Sequence, residues 1–96
     1  MDYSYVYILS NRKNGTLYVG KTVNLQKRIF EHKSKAIEGF TKKHDITKLV
    51  YFETHEDVLE AKKREVQMKA WKREWKINLI EKENPDWDDL YTHINT

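Results

Sequence analysis

Residues 3–20 read YSYVYILSNRKNGTLYVG, and this stretch decides how the fold begins. The segment from Tyr3 to Leu9 is rich in aromatic and β-branched residues, which favours a β-strand. The segment from Asn11 to Gly15 follows and ends in Asn-Gly, a strong signal for a hairpin. Thr16 to Gly20 then returns as a second strand. The sequence therefore predicts an N-terminal β-hairpin.

The middle of the chain predicts helices around one further strand. Asn24 is expected to cap a helix over Leu25 to Lys33. Residues 34–46 are mostly polar and are expected to form a loop or a short helical turn. Lys48 to Glu53 is typical of a third strand. The pattern from Glu56 to about Glu83 is helical, with a break expected near residues 70–72.

The end of the chain predicts a segment that docks on the body. Asn84-Pro85 ends the helical pattern, since a residue before proline disfavours the helical conformation. Trp87, Leu90 and Tyr91 then recur at helical spacing. The order of elements predicts one α+β domain over residues 1–96, a mixed α/β sandwich. Its hairpin and third strand are expected to form a three-stranded antiparallel sheet flanked by helices.

Length and composition exclude several classes of function. With 96 residues the chain can bury one modest core. It has no cysteine, which excludes disulfides, a thiol nucleophile and zinc sites built on thiolates. No apolar run approaches the length of a bilayer span, and no targeting segment opens the sequence, so we expect a cytoplasmic location and no membrane partner.

The net charge of +3 hides an uneven distribution. Residues 1–44 carry nine Lys or Arg against three Asp or Glu, whereas residues 45–96 carry nine against twelve. A basic N-terminal half is consistent with an anionic partner such as a phosphate backbone. An unevenly charged, solvated surface would have the same composition.

Glu65 is the first candidate for a chemical role. On a helical projection Val58, Leu59, Ala61, Val66 and Met68 outline an apolar face centred near Val58, and Glu65 falls close to that centre. A buried carboxylate must be paired, protonated or bound to a metal, because an unpaired buried charge is very costly. An ion pair with Lys62 or Lys69 is the alternative to a functional role.

Arg28 and His32 form the second candidate, one turn apart on the predicted first helix. A guanidinium and an imidazole on one face can grip a phosphate and exchange a proton near neutral pH. A surface pair without a ligand is the alternative. The third candidate is the hairpin, where Tyr7 and Tyr18 are expected to approach each other. Such tyrosines can serve in proton transfer or simply pack.

These residues fall in an order that resembles the GIY-YIG nuclease superfamily, in particular its small single-domain bacterial members. Tyr5-Val6-Tyr7 is similar to the first motif, with Tyr5 in place of the usual glycine, and Tyr18-Val19-Gly20 to the second, eleven positions later. Arg28 and His32 match the family's Arg-x-x-x-His. Ala61 to Glu65 matches its Ala-x-x-x-Glu, and Asn84 to Trp87 its ending.

The resemblance implies a metal-dependent phosphodiesterase. Carried over position by position, Tyr7 takes a proton from the attacking water, with His32 able to help. Arg28 neutralises charge on the scissile phosphate, and Tyr18 orients the phosphate or a metal-bound water. Glu65 holds Mg²⁺ or Mn²⁺. Arg28 and the metal are expected to lower the pKa of Tyr7.

The resemblance also implies a nucleic-acid substrate, DNA rather than RNA. We expect little sequence preference, since no recognition helix or zinc finger is visible. Gly20 and Lys21 are expected to contact the substrate, and a protein partner could supply specificity. Six further basic residues could flank the site or belong to the solvated surface: Arg12, Lys13, Lys33, Lys35, Lys42 and Lys43.

Two other classes of function stay open at this point. One is a binding module of the same fold that grips nucleic acid or protein but is catalytically weak or inactive. The other is an interaction or scaffold protein that uses the aromatic tail around Trp87 and Tyr91 to contact another chain.

Overall fold

The computed structural model describes residues 2–94 and contains the predicted three-stranded sheet. The strands are β1 (Ser4–Ser10), β2 (Leu17–Thr22) and β3 (Lys48–His55). β1 lies in the centre and pairs antiparallel with β2 on one side and β3 on the other. The predicted α+β class and sheet are confirmed, and β3 runs two residues beyond the expected end at Glu53.

The helices follow the predicted order. They are α1 (Leu25–Lys33), α2 (Phe40–Lys43), α3 (Val58–Ala70), α4 (Arg73–Glu83) and α5 (Tyr91–Ile94). α1 has its predicted bounds, and the Asn24 side chain caps it by accepting from the Lys27 amide. The predicted break lies between α3 and α4, where Trp71 takes an extended conformation with ψ 151°. No helix within residues 2–94 is long and apolar enough to cross a bilayer.

The hairpin connection is wider than a two-residue Asn-Gly turn. β1 ends at Ser10 and β2 begins at Leu17, so residues 11–16 form the connection. Asn14 supplies the left-handed conformation there, with φ 58°. The register that results places Tyr7 opposite Gly20 and Tyr18 opposite Leu9. The predicted approach of the two tyrosines follows from this register.

Both faces of the sheet are covered. The side chains of the central strand β1 alternate between the two faces and enter a different cluster on each. Val6 and Ile8 belong to a buried cluster with α3, α4 and the fully buried Trp87. Tyr7 and Leu9 belong to a second cluster on the opposite face, formed with α1 and the segment before β3. The candidate tyrosines thus lie on the face that α1 covers.

The buried face of α3 is narrower than predicted. Val58, Leu59 and Val66 were expected in the core, but they are 49%, 74% and 54% exposed. The helix instead buries Ala61, Glu65 and Met68, which follow the i, i+4, i+7 spacing of a single stripe. Only this stripe of α3 is buried in the cluster that the helix forms with the sheet, α4 and Trp87, so the flanking apolar residues remain in solvent.

The tail docks on the body, as predicted, but not as a helix. Trp87 is fully buried with φ 57°, and its indole donates to Glu81 at 2.8 Å. The Leu90 amide donates to the Leu49 carbonyl at 2.8 Å. α5 begins only at Tyr91, so residues 86–90 dock without forming a helix, although their apolar residues have helical spacing. Because Trp87 is buried, it cannot provide the exposed contact surface of the scaffold hypothesis.

Candidate active site

Tyr7, His32 and Thr41 form a chain of hydrogen bonds at the centre of the site. The Tyr7 hydroxyl lies 3.0 Å from Nε2 of His32, and Nδ1 of His32 lies 3.0 Å from the Thr41 hydroxyl. Strand β1, helix α1 and helix α2 each supply one of these side chains. All three are buried, with 1%, 2% and 4% of their surface exposed. Each buried polar group therefore has a partner, and the arrangement is closely defined.

His32 is neutral in this environment. Burial, together with the nearby charge of Arg28, lowers the pKa of His32 to about 4. A neutral imidazole carries one N–H and one acceptor nitrogen. His32 therefore donates through one nitrogen and accepts through the other, and Tyr7 and Thr41 have hydroxyls that can fill either role.

The pKa of Tyr7 differs from the sequence-based expectation. Burial raises the pKa of Tyr7 to about 12, although the adjacent Arg28 acts to lower it. Arg28 acts in the expected direction, but in the free protein its effect is smaller than that of burial. Desolvation of the phenolate outweighs the guanidinium, since the ring lies in the core cluster beside Leu9. At neutral pH the resting Tyr7 is therefore a neutral phenol.

Tyr18 and His32 enclose the Tyr7 ring from two sides. The ring centroids of Tyr7 and Tyr18 lie 6.4 Å apart, and those of Tyr18 and His32 lie 5.6 Å apart at an interplanar angle of 60°. Edge-to-face contacts of this kind fix ring orientation. Tyr18 is only half-buried and so offers its hydroxyl edge to solvent more readily than Tyr7 does.

Gly20 has a clear packing role opposite Tyr7. A Cβ built on Gly20 would lie 2.4 Å from both Cζ and the hydroxyl of Tyr7. Real Cβ atoms do not approach so closely, so only glycine leaves room for the phenol at this position. The predicted contact of Gly20 with substrate stays a prediction, since Gly20 itself is buried.

Arg28 lies at the solvent edge of the site. Its guanidinium interacts with the Tyr7 hydroxyl, which raises the pKa of Arg28, and Nη1 lies 3.6 Å from Glu31. The side chain is 38% exposed. Lys21 and Arg28 line the same shallow groove of about 320 Å³, next to Lys27. Three cations thus face one groove, partly offset by the Glu31 carboxylate.

Glu65 lies on α3, on the far side of the sheet from α1, yet its charge acts on Tyr7 and raises the pKa of that hydroxyl. Its two carboxylate oxygens accept from Lys62 and Lys69, each at 3.2 Å. Burial raises the pKa of Glu65, but the two ammonium groups outweigh burial and lower it below its ordinary value. Glu65 is therefore ionised, and the ion pair considered from the sequence is formed.

Comparison with known proteins identifies the family of this chain. The family model described as the GIY-YIG catalytic domain matches residues 3–78, which include all five predicted catalytic positions. The chain belongs to the GIY-YIG family. Its relatives include a UPF0213 protein of Syntrophus aciditrophicus, 42% identical over 90% of this chain and 98% of that protein. A UPF0213 protein of Clostridium perfringens is 38% identical over 96% of this chain and 98% of its own length.

The fold also resembles that of a solved GIY-YIG relative. The solution NMR structure of a UPF0213 protein from Bacillus halodurans superposes with a TM-score of 0.57 at 28% identity. The match covers 98% of each chain. The overall arrangement of sheet and helices is thus shared over nearly the whole length.

Glu65 is suited by its chemistry to be the single protein ligand of a divalent cation in this GIY-YIG chain. It is an ionised carboxylate, and positive charge already faces both of its oxygens. The side chains that supply that charge, Lys62 and Lys69, are 61% and 51% exposed and are free to move aside. Residues 2–94 contain no group of three or more His, Cys, Asp or Glu able to hold a metal. A hard cation at Glu65 would therefore keep mostly water and substrate oxygens as ligands.

Three of the predicted basic residues form ion pairs with acidic side chains of this chain. Lys33 pairs with Asp89 of the tail and lies over the Tyr91 ring, which makes it part of the docking of the C-terminal segment. Lys35 pairs with Asp45 at 2.9 Å, and Lys42 pairs with Glu38 at 2.8 Å. Lys33 is half-buried, whereas the other five residues of the predicted set are exposed: Arg12, Lys13, Lys35, Lys42 and Lys43.

Thr41 is the site residue that sequence reasoning missed. It lies nine positions after His32, in a segment whose polar composition predicts only a loop or short turn. The single turn of α2 brings its hydroxyl to His32. No periodic signal marks such a contact, because α2 is too short to show one.

Proposed function

We propose that this chain is a metal-dependent phosphodiesterase that cuts nucleic acid as an endonuclease, with DNA as the preferred substrate and little sequence preference. The observation that carries the proposal is the set of groups around one buried phenol. The Tyr7 hydroxyl contacts His32, and the charges of Arg28 and Glu65 both act on it. Membership of the GIY-YIG family supports a nuclease-like activity.

Tyr7 is the general base in this proposal. In its ionised form it accepts a proton from the water that attacks phosphorus. The neutral His32 can hydrogen-bond Tyr7 in either protonation state of the phenol. In the tautomer protonated on Nδ1, its Nε2 accepts from the neutral phenol, and in the tautomer protonated on Nε2, that nitrogen donates to the phenolate. Thr41 allows His32 to change tautomer, since its hydroxyl can accept from a protonated Nδ1 and donate to an unprotonated one.

Arg28 and Lys21 are the phosphate-binding groups in this proposal. Phosphoryl transfer depends chiefly on alignment and charge neutralisation, and a guanidinium offers two parallel donors to phosphate oxygens. Arg28 is partly exposed and keeps its charge, and it shares its groove with Lys21. Tyr18, at the edge of the same site, directs its hydroxyl toward the bound phosphate or its water.

Glu65 holds Mg²⁺ or Mn²⁺ in this proposal. Such an ion, when bound, supplies positive charge for the leaving oxygen and the scissile phosphate. The chain's own contribution is an ionised carboxylate fixed on the rigid α3 stripe beside Ala61 and Met68. Binding of a cation there displaces the ammonium groups of Lys62 and Lys69, so their pairing with Glu65 competes with the ion.

A nucleic-acid-binding module with weak or no catalysis is the second candidate. The low exposure of Tyr7, 1%, and its high pKa favour it, because a base must meet water and lose its proton. This candidate keeps the basic groove and the fold but assigns no chemistry to Tyr7. A partner protein that opens the site would also reconcile both observations with catalysis.

The test is cleavage of end-labelled single-stranded, duplex and branched DNA, and of RNA, with Mg²⁺ or Mn²⁺ and with EDTA. The Glu65→Ala protein, prepared in parallel, exposes any contaminating nuclease. The proposal predicts metal-dependent cleavage by the parent protein that the variant lacks. Binding that survives EDTA, without cleavage of any substrate, would instead establish the binding module.

A further inference from the structure

Two tryptophans form an exposed groove on the α3–α4 corner, away from the tyrosine pair. Trp71 and Trp75 stand edge to face, with ring centroids 6.3 Å apart and an interplanar angle of 73°. Together with Asn78, Leu79 and Lys82 they line a shallow groove of about 370 Å³. Trp75 is 50% exposed, which is unusual for so large an apolar side chain.

Cations lie against both indoles. The Arg64 guanidinium lies 5.0 Å from the centroid of the Trp71 ring, and the Lys72 ammonium lies 5.9 Å from that of Trp75. Nε of Arg64 donates to the Glu53 carboxylate at 3.0 Å, which holds the guanidinium in place. Arg73 is fixed by the Asn14 carbonyl of the hairpin connection at 2.8 Å. A cationic side chain thus lies against each indole, with the charge of Arg64 offset by Glu53.

The local charge favours an anionic partner, although the C-terminal half is acidic on average. Residues 69–82 carry five Lys or Arg against two Glu, a balance of +3. One of the two acids, Glu81, accepts the Trp87 indole N–H at 2.8 Å. The other, Glu74, lies on the exposed first turn of α4. A second copy of this chain that presented the same surface would bring like charge to the groove.

The groove lies at the end of α3, the helix that also carries Glu65. Arg64, which covers Trp71, precedes Glu65 in α3, and Lys69 on the same helix pairs with Glu65. Six residues separate Glu65 from Trp71, about 9 Å of helical rise. That distance is about two to three nucleotides of a stacked strand at 3.4 Å each. A strand whose phosphate lies at Glu65 can therefore reach Trp71.

We infer that the Trp71–Trp75 groove binds an unpaired nucleobase of the substrate, so that the preferred substrate carries single-stranded nucleotides next to the cleaved bond. The indole rings can stack on a base while the adjacent cations attract its phosphates. Stacking of this kind tolerates any base, since every base has a π-face. The Asn78 amide offers both a donor and an acceptor to the base edge. The identity of the ligand as nucleic acid rests on the proposed function.

Other occupants fit the groove less well. A stable protein interface takes about 20–30 residues on each side, whereas five line this groove. A self-association interface would need the apolar surface to continue beyond the groove, but the neighbouring Lys72 and Lys76 are charged. The observations therefore favour a small planar group attached to a polyanion.

The test measures binding without cleavage. The probe is a labelled oligothymidylate of about ten nucleotides, within the usual site size of single-strand-binding folds. Fluorescence anisotropy in EDTA compares it with a blunt duplex for the parent protein, Trp75→Ala and Trp75→Phe. Leu59→Ala is the matched control, because Leu59 is an apolar residue of α3 that is 74% exposed but lies outside the groove.

Trp75→Ala is expected to weaken binding of the single strand at least about fivefold, the lower end of the loss for one base–aromatic stack. Duplex binding should stay unchanged, Trp75→Phe should keep most of the affinity, and Leu59→Ala should behave as the parent. Equal single-strand affinity of Trp75→Ala and parent would overturn the inference. So would an equal loss on duplex, or sedimentation showing that Trp75 mediates self-association.

Failure of this inference can be told apart from failure of the proposed function. If the parent cleaves nucleic acid with metal while Trp75→Ala binds single strands normally, only the groove assignment is wrong. If the parent does not cleave but loses single-strand binding with Trp75→Ala, the groove assignment holds and the catalytic proposal is wrong.

Discussion

Gly20 lies directly opposite Tyr7 in the β1–β2 ladder, and a Cβ at Gly20 would lie 2.4 Å from the Tyr7 hydroxyl. The glycine therefore makes room for the phenol on which the site is built. The same register places Tyr18 beside Tyr7. The relative position of the two tyrosine motifs is therefore set by the pairing of β1 with β2.

Gly20→Ala is expected to lower the free energy of unfolding by about 1–3 kcal/mol, the usual cost of overpacking a buried site. It should also lower the cleavage rate, because the Tyr7 ring must move. Urea unfolding measures the first effect. In a Tyr7→Leu background the same change should cost less, since the overlapping ring is gone. An equal cost in both backgrounds would mean that the clash is not with Tyr7.

The stability of the protein should depend on pH through His32. The pKa of His32 is about 4 in the folded protein and near 6.5 in the unfolded chain. Between these pH values the unfolded chain binds a proton that the folded protein does not. The free energy of unfolding should therefore rise by about 3 kcal/mol from pH 4 to pH 6.5 and then level off.

Unfolding by urea at a series of pH values, compared with His32→Gln, isolates this contribution. The variant should show a flatter dependence between pH 4.5 and 6.5. The pKa values of Glu53 and Glu65 are lowered by their cationic partners. Protonation of these carboxylates therefore reduces the free energy of unfolding only at pH values below this range. Identical slopes for the two proteins in that range would show that His32 is not held neutral.

Thr41→Val should leave Nδ1 of His32 without its partner. A buried polar group that loses its hydrogen bond costs about 1–3 kcal/mol. We also expect a lower cleavage rate, because the imidazole can no longer be held in both tautomers. Nitrogen NMR shifts of His32 report the tautomer directly, which a purely structural role would leave unchanged. Thr41→Ser keeps the hydroxyl and should restore both properties; failure to do so would argue against the hydrogen bond.

The rate of cleavage should rise with pH if Tyr7 acts in its ionised form. The pKa of Tyr7 is about 12 in the free protein, so at lower pH the ionised fraction grows about tenfold per pH unit. The profile of kcat/KM between about pH 6 and 9 should rise accordingly, with the slope reduced where bound cations lower that pKa. Tyr7→Phe should lose most of the rate with little change in binding. A parent profile that is flat with pH would contradict the role as base.

Much of the fold could be predicted because its signals are local. Asn24 marks the start of α1, and the aromatic alternation around Tyr7 marks β1. The error on α3 has a physical origin, since the helical projection shows which residues share a side but not how much of that side the sheet covers. Val58 and Val66 are apolar yet remain exposed for that reason.

The sequence predicts which residues are candidates for the site, but it does not predict the electrostatics around them. The motif order identified Tyr7, Arg28 and Glu65, whereas the pKa of Tyr7 depends on burial that only the packed structure defines. Thr41 was missed since its contact with His32 arises from one turn of helix, not from any sequence period. Long-range packing, not local propensity, determines each of these features.

The stability of Glu65 variants should change little, although a buried acid suggests otherwise. The ion pairs of Glu65 involve exposed lysines and contribute modestly, so Glu65→Gln should alter the free energy of unfolding by no more than about 1 kcal/mol. Loss of activity in this variant can then be assigned to the carboxylate and not to unfolding.

The most direct test of the central claim is single-turnover cleavage of one labelled DNA as a function of Mg²⁺ concentration, with parent, Glu65→Gln and Lys62→Gln compared. The account predicts saturable activation of the parent, no activation of Glu65→Gln, and activation of Lys62→Gln at lower Mg²⁺, since one competing ammonium is gone. Cleavage by Glu65→Gln at the parental rate, or undiminished cleavage in EDTA, would contradict a metal-dependent nuclease site at Glu65.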